Sequence, residues 1–81
     1  MHEAAIAQEV CDIALRAAAE NGLKRITRII MDIGGYSAVN HRQLGIVFDI
    51  AVRGTPMEGC ALEIHDLPET LGMFVRTIEG E

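Results

Sequence analysis

Large aromatic side chains are scarce in this 81-residue sequence, which has no tryptophan, one tyrosine and two phenylalanines. Aliphatic side chains must therefore form the core, and the 49% of hydrophobic residues supports a single domain. No apolar run approaches the roughly 20 residues that cross a bilayer, and we expect neither a membrane segment nor a signal peptide. The net charge of −5 argues against nucleic-acid binding and is compatible with attraction of cations.

Cysteine is equally scarce, since Cys11 and Cys60 are the only two and no Cys-x-x-Cys pair occurs. Two distant cysteines form neither a disulfide framework nor a zinc ribbon. We expect both to be buried as small hydrophobic residues, because free cysteine is among the most buried residue types. A reducing, cytoplasmic location is the default for such a chain.

Recognisable catalytic patterns are also missing. The sequence shows no Ser-His-Asp arrangement, no glycine-rich phosphate loop and no carboxylate pair in an interpretable context. We therefore expect that the protein is not an enzyme.

The first three residues, Met1-His2-Glu3, form the clearest candidate metal site. The amine of the chain, the backbone nitrogen of His2 and the Nδ1 atom of its imidazole can bind one metal ion through unstrained chelate rings. A further donor, such as the backbone nitrogen of Glu3, would complete a plane of four nitrogens. Such a plane suits Ni(II) or Cu(II) and suits Zn(II) poorly. The alternative interpretation is an incidental histidine in a frayed terminus.

Two segments have the pattern of helices. Residues 3–20 are rich in alanine, the best helix former, and end at Asn21-Gly22. Asn40 to Gln43 resembles a capping box, with Asn40 as N-cap and Gln43 reaching back, and the helix should run to about Arg53. The predicted buried faces consist of Ile6, Val10, Ile13 and Ala17 in the first helix and Leu44, Val47, Phe48 and Ala51 in the second.

Residues 24–34, 61–67 and 73–79 have the pattern of strands. In the first strand, Ile29, Met31 and Ile33 should meet the helices, and Ile26, Arg28, Ile30 and Asp32 should share the other face. Ile78 is out of phase with Met73 and Val75, which indicates a bulge. The order α-β-α-β-β predicts an α+β fold, with two helices on one face of a three-stranded mixed sheet. The last two strands are expected to form an antiparallel hairpin across residues 68–72.

Taken together, these segments resemble the HypA/HybF family, the nickel metallochaperones of nickel–iron hydrogenase maturation. The similarity begins at Met1-His2-Glu3 and covers nearly the whole chain. It continues through Ala7-Gln8, Asp32-Ile33-Gly34, Val39, Leu44–Asp49, Gly54–Ile64 and Arg76–Glu79.

The resemblance implies that the Met1 amine and His2 bind Ni(II), with the backbone of Glu3 as a further donor. The Glu3 carboxylate either orients the imidazole or acts only as a favourable charge at the helix start. Delivery would involve a maturation GTPase and the hydrogenase large subunit. His41, His65 and Tyr36 are expected at the surface, where Tyr36 either anchors a partner or packs within its loop.

One departure from the family is large. Its members carry a zinc module with two Cys-x-x-Cys pairs between the second and third strands, whereas here only Pro68 to Gly72 occupies that place. No combination of the cysteines, His41 and His65 has the spacing of a structural zinc site. Residues 1–81 are therefore expected to be a single nickel-binding domain of HypA type that binds no zinc.

A second hypothesis requires no metal. The same fold could act as an interaction module that docks or dimerises through the Ile26/Ile30 face and an exposed sheet edge. A homodimer is plausible for so small a domain, and the short Pro68–Gly72 connection favours domain swapping if it is strained.

Overall fold

The computed structural model describes residues 2–81 and contains two helices and three strands. They are α1 (Glu3–Glu20), β1 (Ile26–Gly34), α2 (His41–Ala51), β2 (Ala61–Leu67) and β3 (Met73–Gly80), with a short 3-10 helix at Gly35–Ser37. Both helices contribute to one core with the sheet. The predicted α+β architecture and element order are confirmed.

The strand order is β2-β1-β3, so β1 is the central strand. It pairs in parallel with β2, to which it is joined through α2, and antiparallel with β3, so the sheet is mixed as predicted. The expected hairpin between β2 and β3 is wrong, because these strands lie at opposite edges of the sheet. The strand with the most apolar residues takes the centre, where both of its edges are covered.

The connection from β2 to β3 crosses the end of β1. The N–H of Gly34 donates to the carbonyl of Gly72 at 2.8 Å, and the N–H of Tyr36 donates to that of Thr70 at 3.0 Å. This close backbone approach leaves no room for a side chain at Gly34. A five-residue loop, residues 68–72, is therefore enough to carry the chain from one sheet edge to the other.

One face of β1 lies against the helices. Ile29, Met31 and Ile33 are at most 1% exposed, which confirms their predicted side. Ile26 is also fully buried in this core, because the β1–β3 register shifts between Ile26 and Arg28. The proposed Ile26/Ile30 docking face is therefore wrong, whereas Arg28, Ile30 and Asp32 remain on the uncovered side of the sheet, each of them partly exposed.

The helices bury slightly different faces from those predicted. In α1 the buried arc consists of Ile6, Ala7, Val10, Cys11, Ala14 and Ala18. Ile13 is wrongly predicted as buried, since it is 41% exposed at the margin of this arc, next to β3. In α2, Leu44 and Phe48 are fully buried as predicted, and Val47 and Ala51 are partly buried.

The predicted bulge in β3 and the predicted burial of both cysteines are confirmed. Arg76 is the extra residue of a β-bulge, because Val75 pairs with Met31 while Thr77 pairs with Ile30. Cys11 and Cys60 are both buried, and burial raises the pKa of each thiol.

Among residues 2–81, no helix has the length and apolar character needed to cross a membrane.

We predict that Gly34→Ala destabilises the fold. A Cβ atom at this position would lie 2.2 Å from the backbone oxygen of Thr70, so the crossing loop would have to move. The free energy of unfolding, measured in urea, should fall by roughly 2 kcal/mol or more. Gly45→Ala is the matched control, since it lies within α2 with nothing within 4 Å and should be stabilising by up to about 1 kcal/mol. Equal urea midpoints for Gly34→Ala and the wild type would contradict the close crossing.

Candidate metal-binding site at the N-terminus

His2 is the N-cap residue of α1. Its carbonyl accepts the first helical hydrogen bond, from the N–H of Ile6 at 3.1 Å. Its side chain makes no capping hydrogen bond and is exposed to solvent. Met1, the other predicted ligand, lies outside the described residues. The imidazole of His2 is thus accessible to a metal ion in solvent.

The backbone nitrogens of His2 and Glu3 lie at the positive end of α1. The first N–H groups of a helix have no carbonyl acceptor within the helix, so a metal ion can replace their protons without breaking helical hydrogen bonds. The partial positive charge of this end also favours the negative charge of a deprotonated backbone nitrogen. Local structure is therefore compatible with the predicted backbone ligands.

The carboxylate of Glu3 bridges the two helices. Its Oε2 atom accepts a hydrogen bond from the backbone N–H of Asn40, the N-cap of α2, at 3.0 Å. This N–H, followed by the N–H of Glu3 itself, lowers the pKa of the carboxyl below its ordinary value of 4.5. The structure thus places the carboxylate on backbone donors, where it holds the start of α1 against the start of α2.

Asn40 forms hydrogen bonds with residues of both helices. Its Oδ1 atom accepts from the N–H of Gln43 at 2.9 Å, which confirms Asn40 as the predicted N-cap. The other half of the predicted capping box is different, because Glu3 rather than the Gln43 side chain takes the N–H of Asn40. The sequence pattern indicates a cap at Asn40 and contains no signal for its contact with the distant Glu3.

The other two histidines pair with carboxylates on opposite sides of the sheet. His41, in the first turn of α2, lies 3.1 Å from Asp66 near the end of β2, and its side chain is 39% exposed. His65 lies 2.5 Å from Glu63 on the uncovered face, and hydrogen bonds from His65 and Arg28 lower the pKa of Glu63. Both histidines are at least partly exposed, as expected.

Side chains alone do not build a metal site in this part of the chain. Across residues 2–81, no three His, Cys, Asp or Glu side chains converge in a way that could hold a metal ion. A site of the kind predicted for Met1-His2-Glu3 would use backbone nitrogens together with a single imidazole, and remains a prediction.

The comparison with known families decides the assignment. Residues 1–72 match the family model described as "Hydrogenase/urease nickel incorporation, metallochaperone, hypA". The chain belongs to the HypA family. That family is described by metal incorporation rather than by catalysis.

Curated HypA-family relatives are clearly similar in sequence. Hydrogenase maturation factor HypA of Paracoccus denitrificans is 37% identical over 68 residues, covering 84% of this chain and 60% of that protein. HypA of Rhodobacter capsulatus is 35% identical over 83 residues, covering 100% of this chain and 74% of that protein. The match to the Paracoccus protein therefore spans less than two thirds of that relative's length.

A solved HypA-family structure has the same fold. The solution structure of the Ni metallochaperone HypA from Helicobacter pylori aligns with a TM-score of 0.75 at 20% sequence identity. The alignment covers 95% of this chain and 72% of the Helicobacter chain. At this identity the likeness supports the fold, and it confirms that the helices and mixed sheet found here are those of the family.

We predict that Glu3→Gln lowers stability in a pH-dependent way. The pKa of Glu3 is lowered in the folded state, so its contribution is fully present above 4.5 and is lost as the pH falls through the lower folded value. Urea unfolding should show a difference between the variant and the wild type at pH 7 that shrinks towards pH 3. Glu9→Gln, which removes one charge from the exposed side of the same helix, is the control. A difference that is independent of pH would argue against the Glu3–Asn40 contact.

Proposed function

We propose that this chain binds one Ni(II) ion at its N-terminus and passes it on during hydrogenase maturation. The ligands are the Met1 amine, the backbone nitrogen and Nδ1 of His2, and the backbone nitrogen of Glu3. The observation that carries the proposal is the position of His2, an exposed N-cap whose side chain caps nothing. Membership of a nickel-incorporation family supports the choice of metal.

The geometry of the helix start suits loading and release. The metal is held outside the first turn of α1, where His2 is exposed and a partner can approach. A planar set of nitrogens leaves the axial directions accessible, so an incoming ligand can displace the imidazole stepwise. Nickel is the cargo of this reaction and leaves with the partner.

Glu3 has a separate role in this proposal. Its carboxylate is held by the N–H of Asn40, which anchors the first residue of α1 against the start of α2. Nickel would replace the proton on the backbone nitrogen of Glu3, so the carboxylate would lose its contact with that N–H and keep its contact with Asn40. The chelate is thereby held in a constant direction relative to α2. This role replaces the alternative in which the carboxylate orients the imidazole.

The partners we propose are a maturation GTPase and the hydrogenase large subunit, in the cytoplasm. Curated relatives are named hydrogenase maturation factors, including HybF of Salmonella typhimurium at 37% identity. We further propose that residues 1–81 act as a nickel domain without zinc. In support, Cys11 and Cys60 are buried in the core, and the Pro68–Gly72 connection directly joins β2 to β3.

The second candidate is a metal-independent interaction module. The observation in its favour is the edge position of β3, whose outer side has no neighbouring strand among the described residues. The two functions differ in one measurable respect: the interaction module would associate identically with and without nickel, and would show no dependence on the terminal amine.

We predict that Ni(II) titration of the untagged chain produces a one-to-one complex with the weak visible d–d band of square-planar nickel. His2→Ala should abolish the band, because it removes the imidazole. A Gly-Ser extension before Met1 should also abolish it, because the terminal amine is then displaced. Visible absorption and equilibrium dialysis provide the readouts.

The controls are His41→Ala and His65→Ala, which remove the other two histidines and should preserve the band. A band that survives both His2→Ala and the extension would place nickel elsewhere and defeat the proposed site. Loss of the band in His41→Ala alone would assign the imidazole to α2 instead.

We also predict that nickel affinity falls steeply with acidification. Binding displaces protons from the imidazole and from backbone nitrogens, and each displaced proton changes the affinity by about tenfold per pH unit. The apparent association constant, measured with a competing chelator, should therefore fall by more than about tenfold between pH 7.5 and pH 6.5. An affinity that is constant over this range would exclude deprotonated nitrogen ligands.

A further inference from the structure

Helix α2 carries large apolar side chains on two opposite sides. Leu44 and Phe48 are fully buried in the core, whereas Ile46 is 46% exposed and Ile50 is 55% exposed. Residues four positions apart are neighbours on a helix surface, so the two isoleucines form one apolar stripe. At about 100° of rotation per residue, Ile46 points directly away from the midpoint between Leu44 and Phe48. The stripe therefore lies on the side of α2 that faces solvent, and not at the margin of the core.

The fold itself gives no reason for this stripe. Ile46 and Ile50 belong neither to the core nor to the partly buried residues that pack against it. Isoleucine is also a weaker helix former than alanine, glutamate or lysine, which are the residues favoured where packing does not decide the choice. An exposed row of apolar side chains along a helix is typical of a surface that receives another helix.

Two arginines flank the stripe. Arg42 lies one turn before Ile46, and Arg53 lies three positions after Ile50, just beyond the last residue of α2. Both arginines are exposed, and neither forms an ion pair with another of residues 2–81. Asp49 is the only acidic residue between them, so the balance here is positive in a chain whose net charge is −5. We call Arg42, Ile46, Ile50 and Arg53 the outer face of α2.

We propose that the outer face of α2 docks an amphipathic helix of another protein, one whose apolar stripe is flanked by acidic side chains. Apolar anchors at helical spacing recognise such a partner, and arginine is enriched at protein interfaces because its apolar stem packs while its charge selects. The arginines are eleven positions apart, which is about 16 Å along a helix axis. Carboxylates about three turns apart on the partner helix would therefore meet both of them.

The charge pattern argues against a second copy of this chain as the occupant of the face. Two copies of α2 packed antiparallel would set Arg42 of each against Arg53 of the other. Packed in parallel, each arginine would face its own counterpart. Both arrangements place like charges at both ends of the contact, which disfavours binding, whereas an acidic helix neutralises both ends.

The outer face of α2 begins close to the candidate metal site. Arg42 lies two positions after Asn40, whose N–H holds the Glu3 carboxylate at the start of α1. A helix that lies along α2 would thus reach the end of the molecule that carries His2. The docking itself goes beyond the proposed function and does not rest on it, since none of the four residues of the face is a proposed nickel ligand.

The test is NMR titration of the full, untagged chain with two matched synthetic peptides, without added metal. Both peptides are stabilised helices of about 18 residues with one leucine stripe, long enough to pass both arginines. One peptide has glutamates beside the stripe, and the other has lysines at the same positions. The acidic peptide should bind at least about tenfold more tightly than the basic one, and the preference should shrink as salt is added. Amide shifts should be concentrated in residues 41–53.

Isoleucine substitutions separate docking from a role in the fold. Ile46→Gln and Ile50→Gln should each weaken binding of the acidic peptide by roughly fivefold or more. Neither should lower the urea midpoint, because neither side chain packs in the core. Ile13→Gln is the matched control, since Ile13 is 41% exposed on α1 and should contribute nothing to binding. The double variant R42E/R53E should reverse the preference, so that the basic peptide binds more tightly than the acidic one.

The proposal fails if neither peptide binds the wild-type chain with a dissociation constant below about 1 mM, or if both bind equally well. Peptide binding that is indifferent to both α2 isoleucines, or that shifts residues outside 41–53, would place the contact on a different surface. A fall in the urea midpoint of Ile46→Gln or Ile50→Gln would assign the stripe to the fold instead. Because no metal is present, none of these results depends on the nickel site.

Discussion

The central position of β1 is the constraint on which the rest of the structure depends. Its residues Ile29, Met31 and Ile33 are covered by the helices, and both of its edges are paired. Because β1 and β2 are parallel, their carboxyl termini lie at the same end of the sheet. The loop that crosses at Gly34 brings the start of β3 to that end as well.

This arrangement also determines where the candidate metal site lies. Asn40 follows the end of β1 and begins α2, and its N–H holds Glu3 at the start of α1. The starts of both helices and the Pro68–Gly72 loop therefore lie at one end of the sheet, beyond the carboxyl end of β1.

Local pattern was sufficient to predict most of the fold. Alanine content, period-two alternation and the Asn40 cap predicted the elements to within a few residues, because these signals arise from neighbours along the chain. The phase change at Ile78 even predicted the bulge in β3. The strand order was mispredicted. A loop of five residues can form a hairpin or cross the end of β1, and the choice depends on long-range contacts such as those of Gly34 with Thr70 and Gly72.

The sequence by itself determined the element types and the covered face of β1, because each depends on adjacent residues or on regular spacing. The nickel site at Met1-His2-Glu3 is likewise inferred from adjacent residues and stays a prediction. Only the tertiary structure decided that Ile26 is buried, that Ile13 is exposed beside β3, and that Glu3 binds Asn40 across 37 positions. These features depend on how whole elements pack. A register shift or a few degrees of helix rotation changes them without altering any local pattern.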